Sequence, residues 1–332
     1  MEIRSKDVMV ERNMKKQINL MFLIFFVLFT FSVCTAQTDD TEQLYFDDSR
    51  KNVGVYMNEM AEFRNFRLRP DILGWFENWY GNTMTNKLNV CAAVQSAVPM
   101  ISWQPNNVPL REIADGKHDA YIINYLNTLT ENAPDIDILL RFAHEMELRP
   151  KYKISWYSWQ AERDPDAYVA AWRHIVDLGH QINPRIKWVW SPNKIDEYVV
   201  PFYPGDEYVD YIGITLNMRE TNDLYYFYKT FEEYYKTEGA KKQIEKYDKK
   251  IIISEVAYSG KDQEAKRLFI RSIFDYLLKD PNLAGVVFFN ENKPDHNGNY
   301  NEFNFTETDV YLEEFNQGLL RIRDYRIENG ID

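Results

Sequence analysis

Beyond residue 50 the chain is a succession of short apolar runs, each passing abruptly into polar or aromatic residues. They read VGVYM (53–57), ILGWF (72–76), VPMISW (98–103), IDILLRF (136–142), IKWVW (186–190), VDYIGI (209–214), IIIS (251–254) and AGVVFF (284–289). β-Branched and aromatic residues dominate them, as strands favour. They are continuous rather than alternating, the pattern of parallel strands buried on both faces. Between them lie stretches of helical period. Residues 164–183 open with Asp164 as N-cap and Pro165 in the first helical position, and Tyr168, Val169, Trp172, Ile175 and Val176 recur at helical spacing. Residues 261–281 repeat the pattern with Ala265, Leu268, Phe269, Ile273 and Leu277 and stop at Pro281. Similar stretches occupy about 83–96, 117–131, 223–238 and 307–326. Strand–helix alternation predicts an α/β fold with a parallel sheet. Eight such strands predict one closed (β/α)8 TIM barrel over residues 51–332.

The segment ILLRFAHEME (138–147) tests this reading, because its own letters suit a helix as well as a strand. The surrounding rhythm makes ILLRF the fourth strand and sets Glu145 just past its end. In such barrels chemistry gathers where strands end. The ends here are Glu77-Asn78-Trp79, Trp103-Gln104, His144-Glu145, Ser191-Pro192-Asn193, Asn217, Glu255 and Asn290-Glu291. Glu145 and Glu255 directly follow apolar strands four and seven. A carboxylate there is costly unless paired, hydrogen-bonded or used. Two of them can divide acid and base roles if their surroundings push their pKa values apart, which is the division glycoside hydrolysis needs. The alternative is a pair of ion-paired residues at the barrel mouth.

Composition narrows the field. The net charge of −12 opposes nucleic acid and anionic membrane surfaces as partners. Aromatics form 15% of the chain, with 23 Tyr and 8 Trp, which suits either a large core or a cleft lined with rings. No Gly-rich nucleotide loop or Cys/His metal cluster is evident, and the five histidines are scattered, so neither cofactor nor metal is expected. With Cys34 and Cys91 the only cysteines, no disulfide framework is available. Residues 1–36 read as a signal peptide: Lys15 and Lys16 precede the apolar run Ile18–Val33, and CTAQ offers a cut after Ala36. Met14 is an alternative start, a lipid anchor at Cys34 an alternative end of the leader, and residues 37–50 a linker. The expected product is an exported protein, periplasmic, surface-bound or secreted, and a monomer.

Several ordered motifs resemble glycoside hydrolase family 26: LLRFAHEME, DPDAYVAAWRHIVD, IKWVWSPN, FYPGDEYVDYIG, VPMISWQP, IADGKHDAYI and IIISEVA, spread over roughly residues 50–310. The resemblance implies a retaining glycosidase with Glu145 as acid/base and Glu255 as nucleophile, acting on a polysaccharide. It implies His144 in the floor of the sugar site and Arg141 holding the nucleophile ionised. Trp103, Trp156 and Trp159 are candidate sugar platforms, and Asn193 and Asn290 candidate hydroxyl contacts. The chain also departs from the family. Glu147-Leu148 stands where Asn-Gly usually follows His-Glu-Met. Strand six reads IGITLNM, without a tyrosine to touch the nucleophile, and Phe288 replaces a strand-eight tryptophan. Endo-cleavage of β-1,4-mannan is the leading expectation. Mixed-linkage β-glucan, β-xylan, an exopolysaccharide, or glycan binding without catalysis stand as alternatives.

Overall fold

A computed structural model describes residues 45–56, 66–91, 97–148, 157–219, 230–237, 244, 246–294, 298 and 300–331. The proposed leader, with Met14 and Cys34, and also Trp156, lie outside these.

Eight parallel strands close into a barrel in sequence order. They are β1 (Asn52–Tyr56), β2 (Ile72–Asn78), β3 (Val98–Gln104), β4 (Ile138–Phe142), β5 (Ile186–Trp190), β6 (Tyr211–Arg219), β7 (Ile251–Ser259) and β8 (Leu283–Phe289). β1 pairs with both β2 and β8, which completes the ring. All eight apolar runs are therefore strands, but their ends moved. β6 and β7 continue well past the apolar letters, so Glu255 lies within β7 rather than beyond it.

Side chains alternate between lumen and helix layer along each strand. Tyr56, Ile72, Val98, Met100, Leu139, Val189, Ile252 and Val287 fill the lumen. Val55, Leu73, Ile101, Leu140, Phe142 and Ile253 face the helices. In β4 this parity carries Arg141 into the lumen, two residues above Leu139 and nearer the C-terminal mouth. In β2 it does the opposite to Glu77, which shares parity with Trp75. The Glu77 carboxylate is buried on the outer side, where it accepts from Trp75 Nε1 (2.7 Å), Tyr125 OH (2.8 Å) and the Met84 amide (3.0 Å). Of the glutamates at strand ends, Glu77 is thus a structural hub.

Glu255 needs a correction to simple alternation. Counting from Ile252, strict parity would turn it outward with Ile253. The β6–β7 register runs Ile214↔Ile253 and then Thr215↔Glu255, skipping Ser254. This bulge resets the phase, so Glu255 and then Ala257 face the lumen. The skipped Ser254 hydroxyl bonds Ser191 Oγ, just past the end of β5, at 2.7 Å and the Ile214 carbonyl at 3.2 Å. Gly213 permits this bridge across β6: a Cβ there would stand 2.6 Å from Ser191 Oγ and 2.9 Å from Ser254 Oγ.

The outer layer includes α1 (Thr85–Val90), α2 (Leu110–Ala114), α3 (Asp119–Asn132), α4 (Ser158–Glu162), α5 (Pro165–Ile182), α6 (Phe231–Thr237), α7 (Gln263–Lys279) and α8 (Asp309–Glu328). Asp164 caps α5 by accepting from the Ala167 amide at 2.9 Å, and Asp262 caps α7 in the same way. α5 buries Tyr168, Ala171, Trp172, Ile175 and Val176; Val169, of the expected face, is half-buried. After β8 the expected long loop contains a two-stranded ribbon, β9 (Lys293–Pro294) with β10 (Tyr300–Asn301). Lys266 on α7 ties down its return by donating to the carbonyls of Glu302 (2.7 Å) and Asn304 (3.0 Å).

Candidate active site

The chain leaves β4 through an unusual turn. Ala143 and Glu145 both adopt positive φ, 41° and 54°, in the left-handed region that non-glycine residues seldom occupy. Such strain persists only where the surroundings hold it, and it gathers at functional sites. Here the Ala143 amide donates to the Trp103 carbonyl (3.0 Å) and the Glu145 amide to the Ser191 carbonyl (2.8 Å). The Glu145 carbonyl accepts from Gln160 Nε2 at 2.8 Å. The turn lifts the Glu145 side chain to the mouth, where it stays partly exposed.

Arg141 is wholly buried beneath it. Nη1 donates to Glu255 Oε1 at 2.6 Å, to Ser102 Oγ at 3.2 Å and to Tyr56 OH at 3.3 Å, while Nη2 donates to Thr215 Oγ1 at 3.1 Å. Burial opposes its charge, but Tyr56 and the carboxylates of Glu255 and Glu145 outweigh this and hold it charged. Glu255 is buried, and its other oxygen lies 3.5 Å from Asn217 Nδ2. Glu145 meets different surroundings. Burial first, and then the negative charge of Glu255, push its pKa above the ordinary carboxylate value; Arg141 and hydrogen bonds from Asn193 and Thr215 pull the other way. Asn193 Nδ2 donates to Glu145 Oε1 at 3.0 Å. One carboxylate is thus clamped by a fixed cation, and the other is biased toward holding a proton.

His144 is buried beside Phe76 and Tyr157, at ring separations of 5.7 and 5.1 Å. Burial, followed by the positive charges of Arg141 and Lys293, drives its pKa well down, so the imidazole is neutral. Its carbonyl accepts from Trp159 Nε1 at 2.9 Å. Thus Arg141, His144, Glu145, Asn193 and Glu255 converge at the mouth.

Three expectations need correction. Trp103 is fully buried, stacked between Trp79 (4.4 Å) and Tyr125 (4.3 Å), and has no face to offer a sugar. Trp159 is 2% exposed, with Tyr157 lying parallel on it at 4.3 Å. Asn290 is committed to the chain after the ribbon: Oδ1 accepts from the Phe305 amide (2.8 Å) and Nδ2 donates to Thr306 Oγ1 (3.1 Å). Phe288, the counterpart of the family's strand-eight tryptophan, packs outward against Phe274, Phe305 and Phe315. Its neighbour Phe289 faces the lumen, near Tyr56 and Phe76.

Tyr157 is the ring that sequence reading missed. It is half-buried, and burial together with the negative fields of Glu145 and Glu255 raises its hydroxyl pKa, keeping it a proton donor. Nothing in WYSW separates it from its tryptophan neighbours. We expect Trp103→Ala to lose ~3–5 kcal/mol of stability in a denaturant melt. Tyr157→Ala should melt near the wild-type temperature but bind oligosaccharide more weakly by about 1 kcal/mol. Equal stability losses in the two variants would place Tyr157 in the core as well.

A third buried carboxyl adjoins the pair. Glu147 is 7% exposed, and burial pushes its pKa up from 4.5 to about 8. A group whose folded pKa is raised contributes fully below its unfolded value and loses that contribution as pH rises through the folded value. Glu147 thus weighs against the fold increasingly from pH ~4.5 to ~8. Glu147→Gln should melt close to wild type at pH 4 and above it at pH 8, by up to a few kcal/mol. A stability difference that does not change with pH would refute this.

Among the described residues no cluster of three or more His, Cys, Asp or Glu is placed to hold a metal ion.

A (β/α)8 barrel that holds one glutamate against an arginine on strand seven, and a second with a raised pKa just beyond strand four, presents the two unequal carboxyls that glycoside hydrolysis needs. Residues 115–259, which contain both glutamates, match the sequence model of Glycosyl hydrolase family 26. The resemblance read from the sequence therefore holds over the segment that carries the pair. Among curated proteins the chain is similar to Endoglucanase H of Acetivibrio thermocellus, 28% identical over 259 residues. It is also similar to Mannan endo-1,4-beta-mannosidase A and B of Caldalkalibacillus mannanilyticus, 30% identical over 89 residues. These alignments cover 73% and 24% of this chain, which spans only 27% and 16% of the two relatives' lengths. Among solved structures, a family 26 β-mannanase from Bacteroides ovatus has a TM-score of 0.55 at 14% identity, covering 85% of this chain and 90% of that one. The mannanase of Bacillus subtilis has a TM-score of 0.52 at 19% identity, covering 76% and 84%. At such identities these two likenesses speak for the fold alone.

Proposed function

We propose that the barrel is an endo-acting, retaining β-glycanase, with β-1,4-mannan as its substrate. The observation that carries this is the unequal surroundings of the two glutamates. Arg141 holds Glu255 from below, leaving a carboxylate oxygen to attack the anomeric carbon. Glu145, with its raised pKa, protonates the departing glycosidic oxygen. The sugar is then held as a glycosyl ester on Glu255. Glu145, now ionised, takes a proton from water as it attacks the same carbon, and Glu255 is released with the configuration retained. Tyr56, Ser102, Thr215 and Asn217 maintain the network around Arg141 and Glu255 throughout.

A panel of mannan, mixed-linkage β-glucan, xylan and an exopolysaccharide, read by new reducing ends and product size, tests this reading. Internal cleavage of mannan with retained anomeric configuration is expected. Cleavage of none, with binding intact, would support a non-catalytic glycan receptor. Preference for mixed-linkage β-glucan is the second reading, favoured by the long similarity to the protein named Endoglucanase H. Export is part of the proposal, on the strength of the basic, apolar and small-residue order ending at Ala36. N-terminal sequencing from the native host should begin near Gln37; an intact Met1 or Met14 would overturn it.

A further inference from the structure

We propose that Glu147 is a positioning residue for the acid/base: by holding the loop after β5 at Lys194, it sets the hydrogen bond that Asn193 gives to Glu145. The proposal rests on the reading of Glu145 as acid/base.

Two short segments face each other at the mouth, the turn 145–148 and the loop 191–194. Three hydrogen bonds lace them together. The Glu145 amide donates to the Ser191 carbonyl at 2.8 Å, Asn193 Nδ2 donates to Glu145 Oε1 at 3.0 Å, and the Lys194 amide donates to Glu147 Oε1 at 2.7 Å. The third is the outermost, and it comes from the residue at which this chain departs from the family's usual Asn-Gly. The Lys194 N–H belongs to the peptide plane that begins at the Asn193 carbonyl. Fixing that N–H fixes the plane on one side of the Asn193 Cα; on the other side the chain is held one plane further back, at the Ser191 carbonyl, across Pro192, whose ring restricts φ. The Asn193 side chain is then aimed from a backbone held at both flanks. Its donation to Glu145 Oε1 orients the carboxyl that carries the catalytic proton toward the glycosidic bond.

Glu147 does not take part in the reaction itself. It is buried, Oε1 is used by Lys194, and Oε2 is enclosed without a partner. Among the described residues, the titratable groups around it include the carboxylates of Glu145 and Asp196 and the ring of Tyr168 on α5, and none of these is a cation that would repay an ionised carboxylate. A costly buried acid retained at this place, with one oxygen spent on a single amide, is explained by what that amide positions.

The test uses Glu147→Met, which keeps the volume and removes the acceptor, and Glu147→Gln, whose amide oxygen can still accept from Lys194. Each is made in the wild-type and Asn193→Ala backgrounds. Rates are measured on the best polysaccharide of the panel and on a dinitrophenyl β-glycoside of the same sugar, whose departure needs little acid help. E147M should lose about tenfold or more in kcat on the polysaccharide, within the range that acid catalysis supplies. It should change KM little and stay within about twofold of wild type in glycosylation by the activated substrate. E147Q should restore most of the loss. In the Asn193→Ala background E147M should add less than about twofold, because both changes cut the same link. Equal losses on both substrates, full additivity with Asn193→Ala, or failure of E147Q to restore the rate would each overturn the proposal. If E147M does not fold, Glu147→Asp, one methylene too short to reach Lys194, serves in its place. Azide rescue of Glu145→Ala separates the two levels. If that rescue succeeds while E147M behaves as wild type, only the positioning role falls; if the rescue fails, the reading of Glu145 falls and the proposal with it.

Discussion

Glu255→Ala should lose activity on every substrate, by more than ~1,000-fold, or about 4 kcal/mol of barrier, however good the leaving group. The variant lacks the atom that attacks the anomeric carbon, so no glycosyl ester forms. Glu145→Ala should behave differently, although the same side chain is deleted. Only proton transfer is missing. A dinitrophenyl glycoside needs no acid to depart, so the ester on Glu255 still forms, in a fast burst. It then accumulates, because no base assists water. Azide needs no base: it should restore turnover and give a β-glycosyl azide, retained relative to the substrate. Rescue of the Glu255 variant, with inverted product and no rescue of the Glu145 variant, would reverse the assignment. Rates within tenfold of wild type for both, roughly 1.4 kcal/mol, would remove the pair from catalysis. The structure makes opposite outcomes reasonable, since Arg141 reaches Glu255 at 2.6 Å while Glu145 receives only the neutral donors Asn193 and Thr215.

The barrel was legible because its signal is long-range and redundant. Eight buried parallel strands leave eight apolar runs, and an error at one end of one run does not alter the count. The gathering of the candidate residues was legible where it depended on strand order: Glu145, Glu255 and Arg141 meet because they lie at or just beyond the ends of the apolar runs of strands four and seven. It was not legible where a single residue of register decides. Ser254 looks like the last letter of a strand, and nothing local announces that it is skipped in pairing with β6 and thereby turns Glu255 inward. The same limit misplaced the rings. Parity within β3, and packing against Trp79 and Tyr125, sink Trp103. Trp159 goes under because its indole N–H is drawn to the His144 carbonyl, and Tyr157 then covers its face. These are tertiary contacts between segments whose sequences do not encode each other. Glu147 shows the remaining case: visible in sequence as a departure, but without meaning until Lys194 is found at its end.

Arg141→Met should damage the fold about as much as Trp103→Ala, by a different cause. The guanidinium is wholly enclosed, and its four hydrogen bonds join β1, β3, β6 and β7 from within β4. Its removal leaves Glu255 buried without its cation and takes one hydrogen-bond partner each from Thr215, Ser102 and Tyr56. Breaking a buried pair from one side costs ~3–5 kcal/mol, because the remaining charge is uncompensated. The cost should appear as a large drop in denaturation midpoint. The variant Arg141→Met/Glu255→Leu removes both charges at once, and hydrophobic replacement of a whole buried pair is often neutral or stabilising. It should recover most of the lost stability while remaining inactive. Arg141→Lys distinguishes charge from geometry. An ammonium preserves the positive charge but lacks the planar fork that reaches Glu255 and Thr215 together. It should therefore fold better than the Met variant and still turn over substrate far more slowly than wild type, with the deficit in kcat rather than KM. If the double variant were no more stable than Arg141→Met, the instability would come from lost packing rather than from the unpaired carboxylate. Full activity in Arg141→Lys would mean that a point charge below Glu255 is all the nucleophile requires.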